Sequence, residues 1–145
     1  MTRATVTGAS GLVGANLVRR LLDAGVEVRA ADLRRSVAID DLDIDFVEVD
    51  VRDATSLAAA FQGADVVFHL AAMISIVGDP TGDVWEVNVG GHSNAANADR
   101  SAGVGSNARW PSRSRLRHAP LRRRSICTGV LATSPSGTEK AMAWP

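Results

Sequence analysis

Three glycines, Gly8, Gly11 and Gly14, stand three apart in the stretch Thr7-Gly8-Ala9-Ser10-Gly11-Leu12-Val13-Gly14. Residues without side chains let a backbone turn tightly, approach a ligand closely and seat a helix against a strand. An apolar run, Ala4-Thr5-Val6, precedes the stretch, and an amphipathic run, Leu12 to Ala24, follows it. Strand, glycine turn and helix in that order can receive a dinucleotide pyrophosphate, because the helix N-terminus offers free N–H donors and a partial positive charge. The spacing is G-x-x-G-x-x-G rather than the commoner G-x-G-x-x-G. Asp32 closes the second apolar run, eighteen residues beyond Gly14. A carboxylate there can accept both ribose hydroxyl hydrogens of an adenosine and would repel a 2′-phosphate, which favours NAD over NADP. Arg34 and Arg35 follow directly. A guanidinium pairs well with a 2′-phosphate, so NADP stays open as the alternative.

Other chemistry finds little support. His69, His92, His118 and the single cysteine, Cys127, are far apart in sequence and have no metal-ligand spacing. The acidic group Asp40, Asp41, Asp43 and Asp45 reads as a solvated loop, so no metal site is expected. One cysteine cannot form an internal disulfide and fits a reducing compartment. Met1 to Val6 shows no basic start followed by a long apolar core, and no apolar run is long enough to span a membrane. A cytoplasmic location without membrane contact is therefore expected.

The elements that must position these residues alternate between strand and helix. Arg3 to Thr7 is read as strand one and Leu12 to Ala24 as a helix. Val13, Leu17 and Leu21, with Gly14, Val18 and Leu22 in the adjacent row, give that helix one apolar face. Val26 to Asp32 is read as strand two and Phe46 to Val49 as strand three. Asp53 reads as the N-cap of a helix through Phe61. Val66 to Leu70, nearly continuous in apolar character, reads as a parallel strand buried on both faces. A helix is expected from Val84 to about Ala98, weakened by Gly90 and Gly91. This alternation predicts an α/β fold, a Rossmann-type doubly wound parallel sheet of strand order 3-2-1-4, with the ligand crevice between strands one and four.

Four motifs in order carry a resemblance: the glycine stretch at 7–14, Asp50-Val51, His69-Leu70-Ala71-Ala72, and Asn88-Val89-Gly90-Gly91. Over residues 1–91 the chain resembles the extended short-chain dehydrogenase/reductases, the NAD-dependent epimerase/dehydratase group, and is most similar to its dihydroflavonol-reductase-like members. The resemblance implies NAD(P)-dependent hydride-transfer chemistry on sugars or small carbonyl compounds. It implies that Gly8, Ser10, Gly11, Leu12, Val13 and Gly14 surround the pyrophosphate and Asp32 the adenosine ribose. It further implies that Asp50 and Val51 contact the adenine, that Leu70, Ala71 and Ala72 line the cofactor beside its second ribose and nicotinamide, and that Asn88 falls near the active site. Read from the residues alone, Asp50 and Ala71-Ala72 are equally plain strand termini. Members of the family use a Tyr-x-x-x-Lys pair as acid or base. This chain has no tyrosine, and its only lysine is Lys140. Ser136 stands four residues before that lysine, between Pro135 and Gly137. No catalytic residue is assigned, and a small-molecule substrate is expected only if the rest of the family's architecture were supplied.

The chain reads as two unlike pieces that meet at residue 91. Up to there it carries seven Arg and fourteen Asp plus Glu, a net −7; beyond, nine Arg and Lys against two acids give +7. Of residues 92–145, six are Val, Ile, Leu or Phe, about 11%, too few for a conventional core. Residues 1–91 are thus expected to be a nucleotide-binding half-domain, and 92–145 a basic tail without a buried strand. Three readings of the tail stay open: an off-frame product of a GC-rich gene, a disordered basic arm, or a fold that composition does not reveal. Arg113, Arg115, Arg117 and Arg122 to Arg124 could meet nucleic-acid phosphates. Only Trp110 lies near them, however, and single-strand binders interleave aromatics with their basic residues, so nucleic acid is not the expected partner. With four strands, strand four would be an uncovered apolar edge that invites self-association.

Overall fold

The computed structural model describes residues 1–103 and the backbone of residues 126–128. Its centre is β1 (Arg3–Thr7), flanked by β2 (Glu27–Asp32) on one side and β4 (Val66–His69) on the other. β3 (Asp45–Glu48) lies outside β2, and every pairing is parallel. Ala4 sits opposite Val28 and Val66, and Thr7 opposite Ala31 and His69. Strands one to four therefore take the predicted order 3-2-1-4. The C-terminal ends of β1, β2 and β4 come level, and that is where an open parallel sheet binds its ligand.

One expectation is overturned. β4 is not the edge of the sheet: β5 (Ile126–Thr128) pairs with it in parallel, Val67 opposite Ile126 and His69 opposite Thr128. Pairing is made by main-chain groups, so three residues are enough to cover a neighbouring edge. A strand that short cannot show as an apolar run. The remaining readings of the tail, including the arginine cluster at 113–124, Ser136 and Lys140, fall outside the described residues.

Side chains alternate across the strands and build two cores. Ala4, Val6, Val28, Ala30, Val66 and Phe68 face α1 (Leu12–Asp23), which buries Ala15, Val18 and Leu21 against them. Leu17 and Leu22 pack at the margin of this core, as the apolar stripe predicts. Val13, expected on the same stripe, does not join them and is 67% exposed. The opposite face carries Ala31 and Val67 against Leu57, Ala60 and Phe61 of α2 (Ala54–Phe61). Asp53 caps α2 as expected, its carboxylate accepting the Thr55 N–H at 2.9 Å.

The second core is closed by a continuous helical rod. It begins as α3 (Asp83–Trp85), passes through a π-helical stretch over Glu86–Gly90, and continues as α4 (Gly91–Ala102). Ala95 and Ala98 of α4 are buried against the α2 side of the sheet. The compositional break at residue 91 falls inside this rod. Here small residues do the packing, so the helix buries a face with almost no large apolar side chains. Among the described residues no helix is long and apolar enough to cross a membrane.

Candidate cofactor site

The glycine turn is locked by its own packing. Gly8 has φ +70°, and a side-chain carbon there would meet the Ala71 amide nitrogen at 2.7 Å. At Gly14 the same carbon would lie 2.0 Å from the Gly8 carbonyl oxygen, a distance no backbone shift of ordinary size relieves. The Gly11 N–H donates to the Gly8 carbonyl at 3.1 Å, and Gly11 stands at the N-cap of α1, where it offers no side-chain cap. Among the described residues no side chain caps the first-turn N–H groups of α1, and free N–H groups at a helix start suit an anion.

Asp32 is fastened to this turn. One carboxylate oxygen accepts the Ser10 N–H and the other the Leu33 N–H, both at 2.8 Å. Each oxygen keeps further acceptor capacity. Ser10 Oγ donates to the Arg34 carbonyl at 2.6 Å, and Ser36 Oγ donates back to the Ser10 carbonyl at 2.9 Å. The segment after β2 and the glycine turn thus form one zipped unit. Across the cleft stands Asp50, whose carboxylate accepts from Arg52 Nη2 at 2.7 Å and from the Arg52 N–H at 2.9 Å. That guanidinium holds the Asp50 carboxyl below the usual carboxylate range. Arg52 also lies 3.7 Å from Asp83 at the start of α3.

The third wall follows β4. Leu70, Ala71, Ala72 and Met73 line it, with Val87 from the π-helical stretch. Thr7 Oγ1 receives the N–H groups of Leu70 and Ala71 at 3.2 and 3.4 Å and pairs with His69 Nδ1 at 2.8 Å. The whole cleft has a volume of about 460 Å³. It brings together nine of the residues read from the sequence: Gly8, Ser10, Gly11, Asp32, Asp50, Val51, Leu70, Ala71 and Ala72. Leu12 and Val13 are exposed beside it, and Gly14 is buried beneath it. Asn88 stands behind the wall. Its amide takes both main-chain groups of Met73, accepting the N–H at 2.8 Å and donating to the carbonyl at 2.9 Å.

The sequence profile of the 3-beta hydroxysteroid dehydrogenase/isomerase family matches residues 5–106, which includes every wall of this cleft. The chain belongs to that family. It is 40% identical over 108 residues to the 3 beta-hydroxysteroid dehydrogenase/Delta 5-->4-isomerase of Mycobacterium tuberculosis; the match covers 70% of this chain and 29% of that protein. Among solved structures, UDP-glucose 4-epimerase of Thermus thermophilus in complex with NAD matches with TM-score 0.63 and 31% identity, over 71% of this chain and 35% of the other. A uronate dehydrogenase variant from Agrobacterium tumefaciens complexed with NAD matches with TM-score 0.60 and 30% identity, over 71% and 38%. The chain thus spans about a third of the length of the proteins it matches. All are extended short-chain dehydrogenase/reductases, as the four motifs imply.

Within this family frame, the sequence reading passed over Thr7, Arg52, Met73 and Val87. Thr7 had a signal: it continues the inward-facing alternation of Thr5 in a strand otherwise apolar on both sides, and both threonines are buried. Arg52 had none, since its pairing with Asp50 is set by the turn after β3. Among the described residues no group of three or more His, Cys, Asp or Glu is placed to hold a metal ion.

Proposed function

We propose that this chain binds NAD in the cleft at the C-terminal ends of β1, β2 and β4, and that it does so without turning over substrate. In this reading Gly8, Ser10, Gly11 and the first-turn N–H groups of Leu12 and Val13 receive the pyrophosphate. Gly14 lets the turn lie flat on the helix. Asp32 accepts the adenosine ribose hydroxyls, and Asp50 and Val51 border the adenine. Leu70, Ala71 and Ala72 border the second ribose and the nicotinamide, and Asn88 acts on that end only through Met73. The observation that carries the reading is the Ser10–Asp32 bond of 2.8 Å, which sets a carboxylate with spare acceptor capacity beside an uncapped helix N-terminus. NAD supplies the hydride chemistry when bound; the protein supplies position and electrostatics. In family relatives of full length that chemistry is directed at sugars, steroids or small carbonyl compounds. The chain contains no tyrosine, and general acid–base assistance of the kind such a residue gives is worth ~10²–10⁴-fold.

Titration calorimetry of the soluble chain with NAD tests the binding half. Saturable binding of one NAD per chain is expected, and Gly14→Ala abolishes it. Absence of binding at millimolar NAD sinks the reading. Incubation with NADH and a panel of carbonyl compounds and nucleotide sugars tests the other half. Flat absorbance is expected, and turnover above about 1 s⁻¹ shows that residues beyond 103 complete an active site.

A further inference from the structure

Among the described residues, two buried side-chain nitrogens have no hydrogen-bond partner, and they belong to neighbouring rings: His69 Nε2 and His92 Nδ1. The ring centres are 6.0 Å apart and the planes are tilted by 40°. Thr7 Oγ1 accepts from the N–H groups of Leu70 and Ala71 at 3.2 and 3.4 Å, so its own proton goes to His69 Nδ1 at 2.8 Å. A neutral imidazole that accepts at one nitrogen carries its proton on the other. His69 Nε2 is therefore a buried N–H donor, and His92 Nδ1 is a group able to accept from it. A buried donor without an acceptor costs the full desolvation of that group, more than a made bond contributes. The terminal torsion of a histidine is soft, so the His92 ring can turn toward that proton at little cost.

We infer that His92 is a positioning residue for the nicotinamide end of the cleft: it accepts the His69 Nε2 proton and completes a relay that runs through His69 and Thr7 Oγ1 to the main chain at Leu70 and Ala71. With that acceptor in place, His69 keeps Nδ1 open for the Thr7 proton. A proton on Nδ1 instead would compete with both amides for the Thr7 oxygen. The relay matters because the peptide between Leu70 and Ala71 lies directly on the glycine turn. A side-chain carbon at Gly8 would meet the Leu70 carbonyl carbon and the Ala71 nitrogen, each at 2.7 Å. The height of that peptide therefore sets the gap between the turn and the wall assigned to the second ribose and nicotinamide. The helix that carries His92 is fixed independently. A side-chain carbon at Gly91 would meet Val51 Cγ2 at 2.7 Å, and Asn94 Nδ2 donates to the carbonyls of Val51 at 3.2 Å and Arg52 at 3.0 Å. His92 thus works from a rigid base, and its loss leaves the adenine side of the cleft in place. This inference rests on the proposed NAD reading and adds to it a residue that touches no ligand.

Calorimetric titration of the whole chain with NAD, ADP-ribose and ADP tests it, on the unmodified protein, His92→Leu and His92→Asn, together with the ¹⁵N resonances of the His69 ring. In the unmodified chain the His69 proton is expected on Nε2. His92→Leu is expected to weaken NAD and ADP-ribose by about fivefold, the size of one ordinary hydrogen bond, and to leave ADP within about twofold, which also shows that the variant is folded. His92→Asn, whose amide oxygen stands near the place of Nδ1, restores both the affinity and the Nε2 proton signal. Three results overturn the assignment: a His69 proton on Nδ1 in the unmodified chain, His92→Leu that leaves NAD unchanged or weakens all three ligands equally, or no recovery in His92→Asn. If the unmodified chain binds none of the three ligands, the NAD reading fails. The His69 spectra then decide the relay by themselves: a tautomer that shifts in His92→Leu and returns in His92→Asn supports it, and an unchanged spectrum overturns it.

Discussion

Asp32 holds two backbone N–H groups, those of Ser10 and Leu33, before any ligand arrives. Those bonds pre-orient the carboxylate and fix the height of the glycine turn, so the side chain acts both on the ligand and on the loop that faces it. Asp32→Ala removes both effects. NAD affinity is expected to fall on the order of 1–3 kcal/mol, the cost of a lost charged hydrogen bond. The preference for NAD over NADP should vanish, since the repulsion of a 2′-phosphate goes with the charge. Asp32→Asn separates the two roles: its amide oxygen still accepts one backbone N–H, while the negative charge is gone. Parallel titrations of both variants decide the matter, and an undiminished NAD preference in Asp32→Ala contradicts the role. The position of Asp32 at the end of β2, beside the glycine turn, was legible from its distance to Gly14 and its place at a strand end. The engagement of Arg35 with the carbonyls of Ile39 and Leu42 was not. It depends on where Ile39, Leu42 and Phe46 fall after a loop of no periodic pattern.

At the scale of elements, the junction of β1, β4 and α4 is held by polar groups with no route to water. His69 is 1% exposed. Thr7 Oγ1 accepts the N–H groups of Leu70 and Ala71, so its own proton goes to His69 Nδ1. Across the packing interface the ring of His92 on α4 lies 6.0 Å from that of His69, centre to centre. Burial first, and the neighbouring His92 second, push the His69 imidazole down to about 4. A protonated His69 would lose the Thr7 proton as a donor and leave a charge buried beside a second histidine. The unfolded chain takes up that proton near pH 6.5, the folded chain only near 4. Stability contributed by the neutral ring is therefore complete above about pH 6.5 and lost as pH falls toward 4, on the order of 3 kcal/mol over that span. Urea unfolding at pH 7, 6, 5 and 4 should show that decline, and His69→Gln should be less stable at pH 7 yet flatter below it. An equally steep decline in His69→Gln assigns the acid sensitivity elsewhere. His69 was legible as a family motif residue; its burial against His92 required the helical rod to pass straight through Gly90 and Gly91. Strong periodic elements such as β1 and α1 were legible to within a residue or two. β5 and the π-helical stretch were not, because pairing across a sheet edge and the long-range bonds between Asn88 and Met73 leave no trace in local pattern.

For the whole molecule, the cleft is the place where both cores end. The α1 core stops at Ala9 and Phe68, the α2 and α4 core at Val49, Val51 and Ala71. A ligand seated there bridges α1, the loop after β2, the turn after β3 and the end of β4. Binding to the folded state alone stabilises it by about 2.7 kcal/mol at a hundred times the dissociation constant. In a unit of roughly a hundred residues each kcal/mol moves the melting temperature by about 4–8 °C, so saturating NAD should raise it on the order of 10–20 °C. Gly14→Ala should show no such rise, because its side chain would meet the Gly8 carbonyl oxygen at 2.0 Å and force the turn out of the shape the pyrophosphate needs. Hydrogen exchange should slow on NAD addition in residues 8–15, 32–36, 50–52 and 70–73, and stay unchanged in α2, whose buried residues face the sheet rather than the cleft. Differential scanning calorimetry over a series of NAD concentrations checks the first part. Calorimetric binding with an unmoved melting temperature would mean that the ligand binds the unfolded chain as well, or sits on a surface that none of these four segments shares.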